Sequence, residues 1–280
     1  MLSYRHGFHA GNFADVLKHL VLIQLLDYFC LKPKPFCYLE THAGAGLFSL
    51  NDEFALKNRE FDTGIGKLWD RQDLPEQVAG YVQHVKQVNP TRQLSRYPGS
   101  PLIAKQRVRQ QDRLLLCELH STDVQLLNKN LGRDSRTTIY HADGLSQSLK
   151  SLPPLERRGL ILIDPSYELK QDYTQVPDSI IKMHKHFATG TFALWYPVIE
   201  RKRCEQLVHR ITESSIKNIQ RFELGIRQDQ AGHGMTASGM IIINPPWTLA
   251  TQLHTLLPWL AEQLAESNEG FYRIETLVPE

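Results

Sequence analysis

The tetrapeptide Asp164-Pro165-Ser166-Tyr167 follows the apolar segment GLILI and combines three groups that could act on an aromatic amine. The lone pair of such an amine is conjugated into its ring, so the nitrogen is a poor nucleophile until hydrogen bonds draw on its hydrogens. The carboxylate of Asp164 and the main-chain carbonyl of Pro165 could accept those bonds. Tyr167 offers a face on which a flipped adenine could stack. The pattern predicts methylation of a base amine, with a plain strand-ending turn as the alternative.

An acidic residue and a glycine-rich turn, ETHAGAG over residues 40–46, follow an earlier apolar segment. Glycines let a backbone approach a bound nucleoside closely, and in an open α/β sheet such a turn borders the crevice at the carboxyl ends of the strands. Dinucleotide-binding turns prefer G-x-G-x-x-G, and Ser49 occupies the third glycine position here. The turn therefore predicts a nucleoside cofactor. An NAD-dependent oxidoreductase and a turn without a ligand are the alternatives.

Two more predicted strands also end in acidic residues. Glu118 could accept both ribose hydroxyls of an adenosine group, although by itself it is typical of a solvated strand-end carboxylate. Asp143, followed by Gly144, could accept a hydrogen bond from the adenine amine of the cofactor. The glycine turn, these two acidic residues and Asp164 come at successive strand ends. That order favours S-adenosylmethionine, a methyl donor that carries an adenosine group, over an unrelated set of turns.

The elements that must position these residues alternate along the chain. Helical periodicity separates several of the apolar segments, which indicates βαβ units, a mostly parallel sheet and helices on both of its faces. Two late segments, RFELGIR and MIIIN, have no helix between them and are expected to pair antiparallel. The strand segments are FCYLE (36–40), RLLLCEL (113–119), TTIYHA (137–142), GLILID (159–164), TFALWY (191–196) and MIIIN (240–244).

The interval between Gly46 and Arg113 is too long for a single crossover connection. Its first part has helical and polar character, which predicts a small helical subdomain at residues 47–95. The main domain would then comprise residues 1–46 and 96–280. Before the first strand, apolar residues at three- and four-residue spacing predict an amphipathic helix over residues 12–29.

Five segments together resemble a known family. Class I methyltransferases that act on adenine N6 usually carry Asp or Asn, two prolines and an aromatic residue, and Ser166 stands here in place of the second proline. More specifically, the chain resembles the RlmJ family, which methylates one adenine of 23S ribosomal RNA at N6. The similarity covers nearly the whole chain. The segments are YRHGFHAGNFADVLKH, ETHAGAG, YPGSP, LILIDPSYE and GMTASGMIIINPPW.

This resemblance implies an α/β fold, namely the Rossmann-like sheet of class I S-adenosylmethionine-dependent methyltransferases with an inserted helical subdomain. S-adenosylhomocysteine would be the product, and no metal is expected. The catalytic group would comprise Asp164, Pro165 and Tyr167, and the RNA would contact Tyr4 and Tyr167. The residues expected at the cofactor are Lys18, His19, Glu40, His42, Gly44, Ser100, Glu118, Asp143, Gly144 and Asp164.

Composition is compatible with this interpretation but does not demand it. The chain has 280 residues, of which 41% are hydrophobic, enough for one large core. A net charge of +2 does not by itself indicate a nucleic-acid partner, because phosphate binding depends on local clustering. Four scattered cysteines predict reduced thiols, and no membrane-spanning segment is expected. We therefore expect a cytoplasmic protein that acts on 23S ribosomal RNA without an obligate protein partner.

Three alternatives remain, two for short segments and one for the whole protein. The cluster His6, His9, Asp15 and His19 could ligate a metal, although a solvated or RNA-contacting helix face fits its spacing better. The segment Asn244-Pro-Pro-Trp247 mimics the amine-methylation signature but is expected to be a turn with a packed tryptophan. A non-catalytic RNA-binding protein that retains a methyltransferase fold is the last alternative.

Overall fold

In the computed structural model, which describes residues 6–230, 232 and 234–280, strands and helices alternate over most of the chain. The strands are β1 (Cys37–Glu40), β2 (Leu47–Ser49), β3 (Arg96–Pro98), β4 (Arg113–Glu118), β5 (Thr137–His141), β6 (Gly159–Ile163), β7 (Thr191–Val198), β8 (Ile219–Gly225), β9 (Ala237–Ile243) and β10 (Phe271–Val278). The helices are α1 (Phe13–Leu31), α2 (Glu53–Asn58), α3 (Glu60–Thr63), α4 (Ile65–Leu68), α5 (Glu76–Gln87), α6 (Ser100–Arg107), α7 (Ser121–Leu131), α8 (Gly144–Ser151), α9 (Asp172–His186), α10 (Arg201–Thr212) and α11 (Trp247–Leu264).

Eight strands form one sheet in the order β10-β8-β9-β7-β6-β1-β4-β5. Strands β5, β4, β1, β6 and β7 are mutually parallel. Strand β9 runs antiparallel between β7 and β8, as the two late segments predicted, and β10 adds an antiparallel edge. This is the doubly wound, Rossmann-like sheet expected of a class I methyltransferase. The predicted fold class is confirmed.

The sheet separates two hydrophobic clusters, because successive side chains of a strand point to opposite faces. Tyr38 of β1 packs with α1 and α11 on one face, whereas Cys37 and Leu39 pack on the face covered by α9 and α10. In β6, Leu160 and Leu162 belong to the first cluster and their neighbours to the second. Both faces of the central strands are therefore buried, as the continuous apolar segments predicted.

Helix α1 is buried on all sides from Phe13 to Leu26 rather than amphipathic, which corrects the sequence-based expectation. It contacts the sheet through β7 and β9 and is covered by α3, α5, α6 and α11. Its polar residues Asp15, Lys18 and His19 are 0–2% exposed. Their spacing resembled that of a solvated face because the sequence does not show which elements cover the helix.

The chain between β1 and α6 forms helices α2 to α5 and a separate two-stranded ribbon of β2 and β3. This segment packs on the beginning of α1. The main-chain NH of Ile65 donates to the carbonyl of Gly11 at 2.8 Å, and a Cβ at Gly64 would lie 2.1 Å from that same oxygen. The close approach of the two backbones requires glycine at position 64.

Trp247 is 81% exposed at the beginning of α11, so the expectation that it is packed is wrong. The turn before it is instead held by Asn244, whose side-chain amide donates to the carbonyls of Ala188 and Gly190, both at 2.8 Å. All four cysteines are free thiols. None of the helices in the described part of the chain has the length and apolar character needed to cross a bilayer.

Candidate active site

The chain order of the parallel strands reverses between β1 and β6, so the crevice of the sheet opens at the carboxyl ends of these two strands. Glu40, the last residue of β1, lies opposite Leu162 of β6. The glycine-rich turn leaves β1 at this edge, and Asp164 comes directly after β6. Two features that are far apart in sequence therefore meet at the topological switch point.

A cavity of about 310 Å³ fills this crevice, and we call it the first cavity. Pro165 and Ser166 of the tetrapeptide also line it. Of the residues predicted to bind the cofactor, Glu40 does not line the first cavity. The predicted residues that do are Lys18, His19, His42, Gly44, Ser100, Glu118, Asp143, Gly144 and Asp164.

Glu118 holds the glycine-rich turn in place. Its two carboxylate oxygens accept hydrogen bonds from the main-chain NH groups of Gly44 and His120, each at 2.7 Å. The residue is 9% exposed, and burial raises the pKa of its carboxyl group. Glu118 is therefore a buried, hydrogen-bonded group and not the solvated strand end that its local sequence suggested. The positive φ of 60° at Gly44 allows the turn to bring its NH to this carboxylate.

Asp143 and Gly144 form the beginning of α8. The side chain of Asp143 accepts a hydrogen bond from the NH of Ser146 at 2.7 Å and so caps the helix. At Gly144 a Cβ would lie 1.8 Å from the carbonyl oxygen of Thr41, so only glycine permits this approach of α8 to the turn after β1. The pair borders the first cavity at the edge of the sheet formed by β4 and β5.

Glu40 lies behind the first cavity and is fully buried. Ser100, at the beginning of α6, donates to one of its carboxylate oxygens, and the hydroxyl of Tyr38 donates to the other at 2.8 Å. Burial raises the pKa of Glu40 to about 8 even though these two hydrogen bonds lower it. Glu40 is therefore joined to the lining of the cavity by its hydrogen bond with Ser100.

Lys18 links the first helix to the tetrapeptide. Its Nζ atom lies 2.7 Å from Oδ1 of Asp15 and 2.7 Å from Oδ2 of Asp164. Burial by itself lowers the pKa of Lys18, but the charges of Asp15 and Asp164 outweigh it and raise that pKa above its ordinary value. The lysine is therefore charged. The Asp164 side chain is 12% exposed, so it remains accessible from the crevice.

His19 belongs to a buried chain of hydrogen bonds that runs toward the inserted segment. Its Nδ1 lies 2.7 Å from the hydroxyl of Tyr97, which lies 2.9 Å from the hydroxyl of Tyr81. The rings of His19 and Tyr97 are stacked at 5.5 Å. This network fixes the histidine ring beside the first cavity.

The described side chains of the amino-terminal cluster have protein partners. His9 pairs with Glu60 at 2.9 Å, and Asp15 and His19 have the partners given above. Among the residues that the structure describes, His, Cys, Asp and Glu form no group of three or more that could hold a metal ion. Tyr4, predicted to contact the RNA, lies outside the described residues, and so does the side chain of His6.

Tyr167 points away from the crevice. It is 7% exposed, and its hydroxyl donates to the main-chain carbonyl of Trp195 at 2.9 Å. Its ring packs on Tyr173 with a centroid distance of 4.7 Å and on Trp195 at 6.1 Å. In this conformation the ring is part of the core and does not line the first cavity.

A second cavity, of about 450 Å³, lies on the other side of Asp164. The two cavities share the side chains of Lys18, Asp164 and Ser166. Both polar and apolar residues line the second cavity. The polar ones include His9, Asn12, Asp15, Lys18, Glu60, Arg227 and Glu266, and the apolar ones include Phe13, Trp195, Pro197, Ile199, Ile226 and Met235.

Sequence patterns did not reveal three residues of this arrangement. Asp15, the second partner of Lys18, had been considered only in a metal or solvated cluster, although its spacing of three residues from Lys18 in a helix was a usable signal. Phe48 of the β2–β3 ribbon lines the first cavity, and Trp195 of β7 lines the second. No local pattern distinguishes these two aromatic residues from core residues.

The chain is similar to known proteins over nearly its whole length. Residues 33–278 match the family described as ribosomal RNA large subunit methyltransferase D, RlmJ. Two proteins named ribosomal RNA large subunit methyltransferase J, from Escherichia coli and Haemophilus influenzae, are 48% and 47% identical, over 100% of this chain and of each relative. The crystal structure of a Legionella pneumophila protein is 41% identical with a TM-score of 0.89, covering 96% of this chain and 98% of that one. These similarities extend over whole chains and are not confined to a shared nucleotide-binding module.

Proposed function

The chain belongs to the RlmJ family of large-subunit ribosomal RNA methyltransferases, and from that membership we propose that it transfers a methyl group from S-adenosylmethionine to N6 of one adenine in 23S ribosomal RNA. The observation that carries the proposal is the meeting of two cavities at Asp164. One cavity suits a nucleoside cofactor and the other suits an acceptor base. The glycine-rich turn had left an NAD-dependent oxidoreductase open as an alternative, and membership of a methyltransferase family is not consistent with it.

The first cavity fits an adenosine-containing cofactor. Gly44 adopts a positive φ, Gly144 allows a close backbone approach, and Glu118 and Asp143 place carboxylates at neighbouring strand ends. We propose that Glu118 accepts the ribose hydroxyls and that Asp143 flanks the adenine. His19, His42 and Ser100 would border the rest of the cofactor. Burial lowers the pKa of His42, which favours its neutral form.

S-adenosylmethionine supplies, when bound, an electrophilic methyl group and leaves as S-adenosylhomocysteine. The protein has to orient a weak nucleophile toward that group. Oδ2 of Asp164 is engaged by Lys18, so Oδ1 is the oxygen available to accept a hydrogen from the adenine amine. The carbonyl of Pro165 would accept the second hydrogen. These bonds favour a tetrahedral nitrogen whose lone pair is free to form the new N–C bond. After methyl transfer the nitrogen loses one N–H proton, and the carboxylate of Asp164 is available to accept it.

Lys18 orients Asp164 in this scheme and does not act as a base. Its charge is held by two carboxylates, and its pKa is raised, so it retains its proton. A fixed carboxylate is ready to accept hydrogen bonds as positive charge develops on the amine. The chemistry therefore relies on positioning and hydrogen bonding, and it calls for no metal.

The acceptor adenine would have to leave its stack to reach Asp164, because the amine is otherwise covered by neighbouring bases. Tyr4 is proposed to contact the RNA, as the resemblance implies. We also propose that residues 47–95 form a subdomain inserted into the domain of residues 1–46 and 96–280. Action on ribosomal RNA would place the protein in the cytoplasm.

Transfer assays on 23S ribosomal RNA from a strain without this protein test the proposal. The wild-type protein should introduce N6-methyladenine at one position, detected by mass spectrometry of nuclease fragments. Asp164→Ala should reduce transfer by about a hundred- to a thousandfold while S-adenosylhomocysteine still binds, since Lys18 retains Asp15 as a partner. A map that is unchanged by the wild-type protein would refute the proposed function. Wild-type turnover by Asp164→Ala would refute only the role of that residue.

A further inference from the structure

Part of the lining of the second cavity comes from the connection between β8 and β9, of which the structure describes residues 226–230, 232 and 234–236. Its residues at this cavity are Ile226, Arg227, Gly234 and Met235. We infer that Arg201 and Asp229, which line neither cavity, hold this connection in place for the RNA. The inference rests on the proposed function, in which the second cavity receives the acceptor base, and adds two positioning residues to it.

Arg201 is the first residue of α10, and its guanidinium group binds two carboxylates. Nη1 donates to both oxygens of Glu223 at 2.7 Å, while Nε and Nη2 donate to the two oxygens of Asp229 at 2.6 and 3.2 Å. Glu223 belongs to β8 and is fully buried, and the hydroxyl of Tyr196 on β7 donates to it at 2.9 Å. Arg201 is thereby fixed to the sheet, and its planar fork binds the connection from this fixed point.

Asp229 links the two ends of the connection. It lies on the part that follows β8, and its Oδ1 accepts a hydrogen bond at 2.9 Å from the hydroxyl of Thr236, which lies directly before β9. The main-chain NH of Thr236 donates to the carbonyl of Val198 at 2.9 Å, and its carbonyl accepts from the NH of Ile226 at 3.0 Å. The end of β7 and both ends of the connection therefore belong to one hydrogen-bonded unit.

This unit fixes cavity-lining residues from two parts of the chain. Pro197 and Ile199, on either side of Val198, line the second cavity together with the residues of the connection. A shift of the connection would change the space in which a base has to sit beside Asp164, and a misplacement of about 1 Å can cost up to about a hundredfold in rate. The bonds of Arg201 are therefore expected to affect how the RNA binds.

The connection has one further attachment, which limits the expected effect. The NH of Glu266 donates to the carbonyl of Ile226 at 2.7 Å, and its carboxylate accepts a bond from Nη1 of Arg227 at 2.7 Å. Loss of the Asp229 carboxylate should therefore displace the connection without releasing it. We expect a moderate change in RNA binding and no collapse of activity.

Asp229→Ala is the first test, because it removes the bonds from Arg201 and Thr236 while Arg201 keeps Glu223 as a partner. KM for the RNA should rise about tenfold, and kcat at saturating RNA should stay within about twofold of the wild type. Affinity for S-adenosylhomocysteine, measured by calorimetry, should also stay within about twofold, since Asp229 is not part of the first cavity.

Asp178→Ala is the matched control. Asp178 also accepts two hydrogen bonds from an arginine of α10, Arg210 at 2.6 and 2.8 Å, and it lines neither cavity. Urea unfolding compares the stabilities of the two variants, so that a general loss of stability can be separated from a change in RNA binding. The KM of Asp178→Ala should equal that of the wild type. Equal KM values for Asp178→Ala and Asp229→Ala would overturn the inference.

Arg201→Lys provides a second test that does not leave Glu223 without a positive charge. Lysine has no planar fork with which to bind two carboxylates at once, so KM for the RNA should rise about as much as in Asp229→Ala. Because the two residues act through one contact, the double variant should show about the same rise as either single variant. A rise equal to the product of the two single effects would overturn the inference.

The outcome for the proposed function can be distinguished from the outcome for this inference. If the wild-type protein transfers no methyl group to RNA, the proposed function is wrong and the inference falls with it. If the wild-type protein transfers the methyl group but Asp229→Ala and Asp178→Ala have the same KM, only the inference is wrong.

Discussion

The Nζ atom of Lys18 lies 2.7 Å from Oδ2 of Asp164, across a sequence separation of 146 residues. This partly buried ion pair joins the first helix to the end of β6, and Asp15, one helical turn before Lys18, is its third member. The helix is in turn fixed by the inserted segment through the bond between Ile65 and Gly11. The orientation of the proposed catalytic carboxylate thus depends on parts of the chain that lie far from it in sequence.

Replacing Lys18 with Met should reduce methyl transfer by about ten- to a hundredfold, because Asp164 loses the partner that orients it. The protein should also lose about 3 kcal/mol of unfolding free energy, since the buried carboxylate of Asp15 and the partly buried one of Asp164 no longer face a positive charge. Urea unfolding and single-turnover transfer measure the two effects. Lys150→Met, on the last turn of α8, serves as the control. Transfer at the wild-type rate by Lys18→Met would contradict the orienting role.

Glu118→Gln should weaken S-adenosylhomocysteine binding by about ten- to a hundredfold, the range for losing hydrogen bonds to a charged group. The amide retains one acceptor oxygen, so Gly44 and His120 cannot both keep their present bonds. Calorimetry gives the dissociation constant. The matched control is Glu156→Gln, which alters a carboxylate paired with Arg113 at the other end of β4. Unchanged affinity in Glu118→Gln would mean that this carboxylate does not hold the cofactor.

Glu40 should make stability depend on pH in a specific window. Its pKa in the folded protein is raised by burial to about 8 from an ordinary value of 4.5, so between these values the folded state retains a proton that the unfolded chain releases. The contribution of Glu40 to the unfolding free energy is therefore fully present below pH 4.5 and is lost as the pH rises to about 8. Over this window the unfolding free energy falls by at most about 1.4 kcal/mol per pH unit.

Glu40→Gln removes this titration, so its unfolding free energy should decrease less than that of the wild type between about pH 5 and pH 8. Urea denaturation of the cofactor-free protein at several pH values gives the comparison. Other titrating groups are common to both proteins and cancel in the difference. Parallel pH profiles for wild type and variant would show that Glu40 is not protonated in this window.

Tyr97→Phe should weaken cofactor binding and lower stability by about 1–3 kcal/mol, because Nδ1 of His19 loses its buried partner. Tyr81→Phe is the matched comparison: it removes a hydroxyl from the same network but leaves the bond between Tyr97 and His19. Thermal unfolding and KM for S-adenosylmethionine distinguish the two. Equal effects on KM would indicate that the network stabilises the fold without orienting His19.

Much of the fold and part of the site could be predicted from the sequence. Apolar segments separated by helical periodicity predicted the parallel sheet, because a strand buried on both faces must be apolar throughout. Residues that follow successive parallel strands meet at one edge of the sheet, so Glu118, Asp143 and Asp164 were correctly expected to lie near one another. The order of strands and acidic residues along the chain was sufficient for this prediction.

Packing decided what these residues face, and the sequence could not show it. The polar spacing on α1 suggested a solvated surface, yet the inserted segment and the sheet cover that helix, and the carboxylates of Asp15 and Asp164 compensate the charge of Lys18. Glu40 likewise lies behind the crevice because surrounding residues, among them Ser100 of α6, cover it. Tyr167 points into the core and Trp195 lines the second cavity, and these positions depend on which strands and helices surround each ring.

The sequence alone determined which chemical groups stand at the carboxyl ends of the parallel strands, since strand direction and alternation follow from periodicity and chain order. Only the tertiary structure decided which of those groups are buried, which are paired and which border a cavity. Burial and pairing depend on contacts between segments that are distant in sequence, as in the bond between Lys18 and Asp164. No local pattern encodes such a contact.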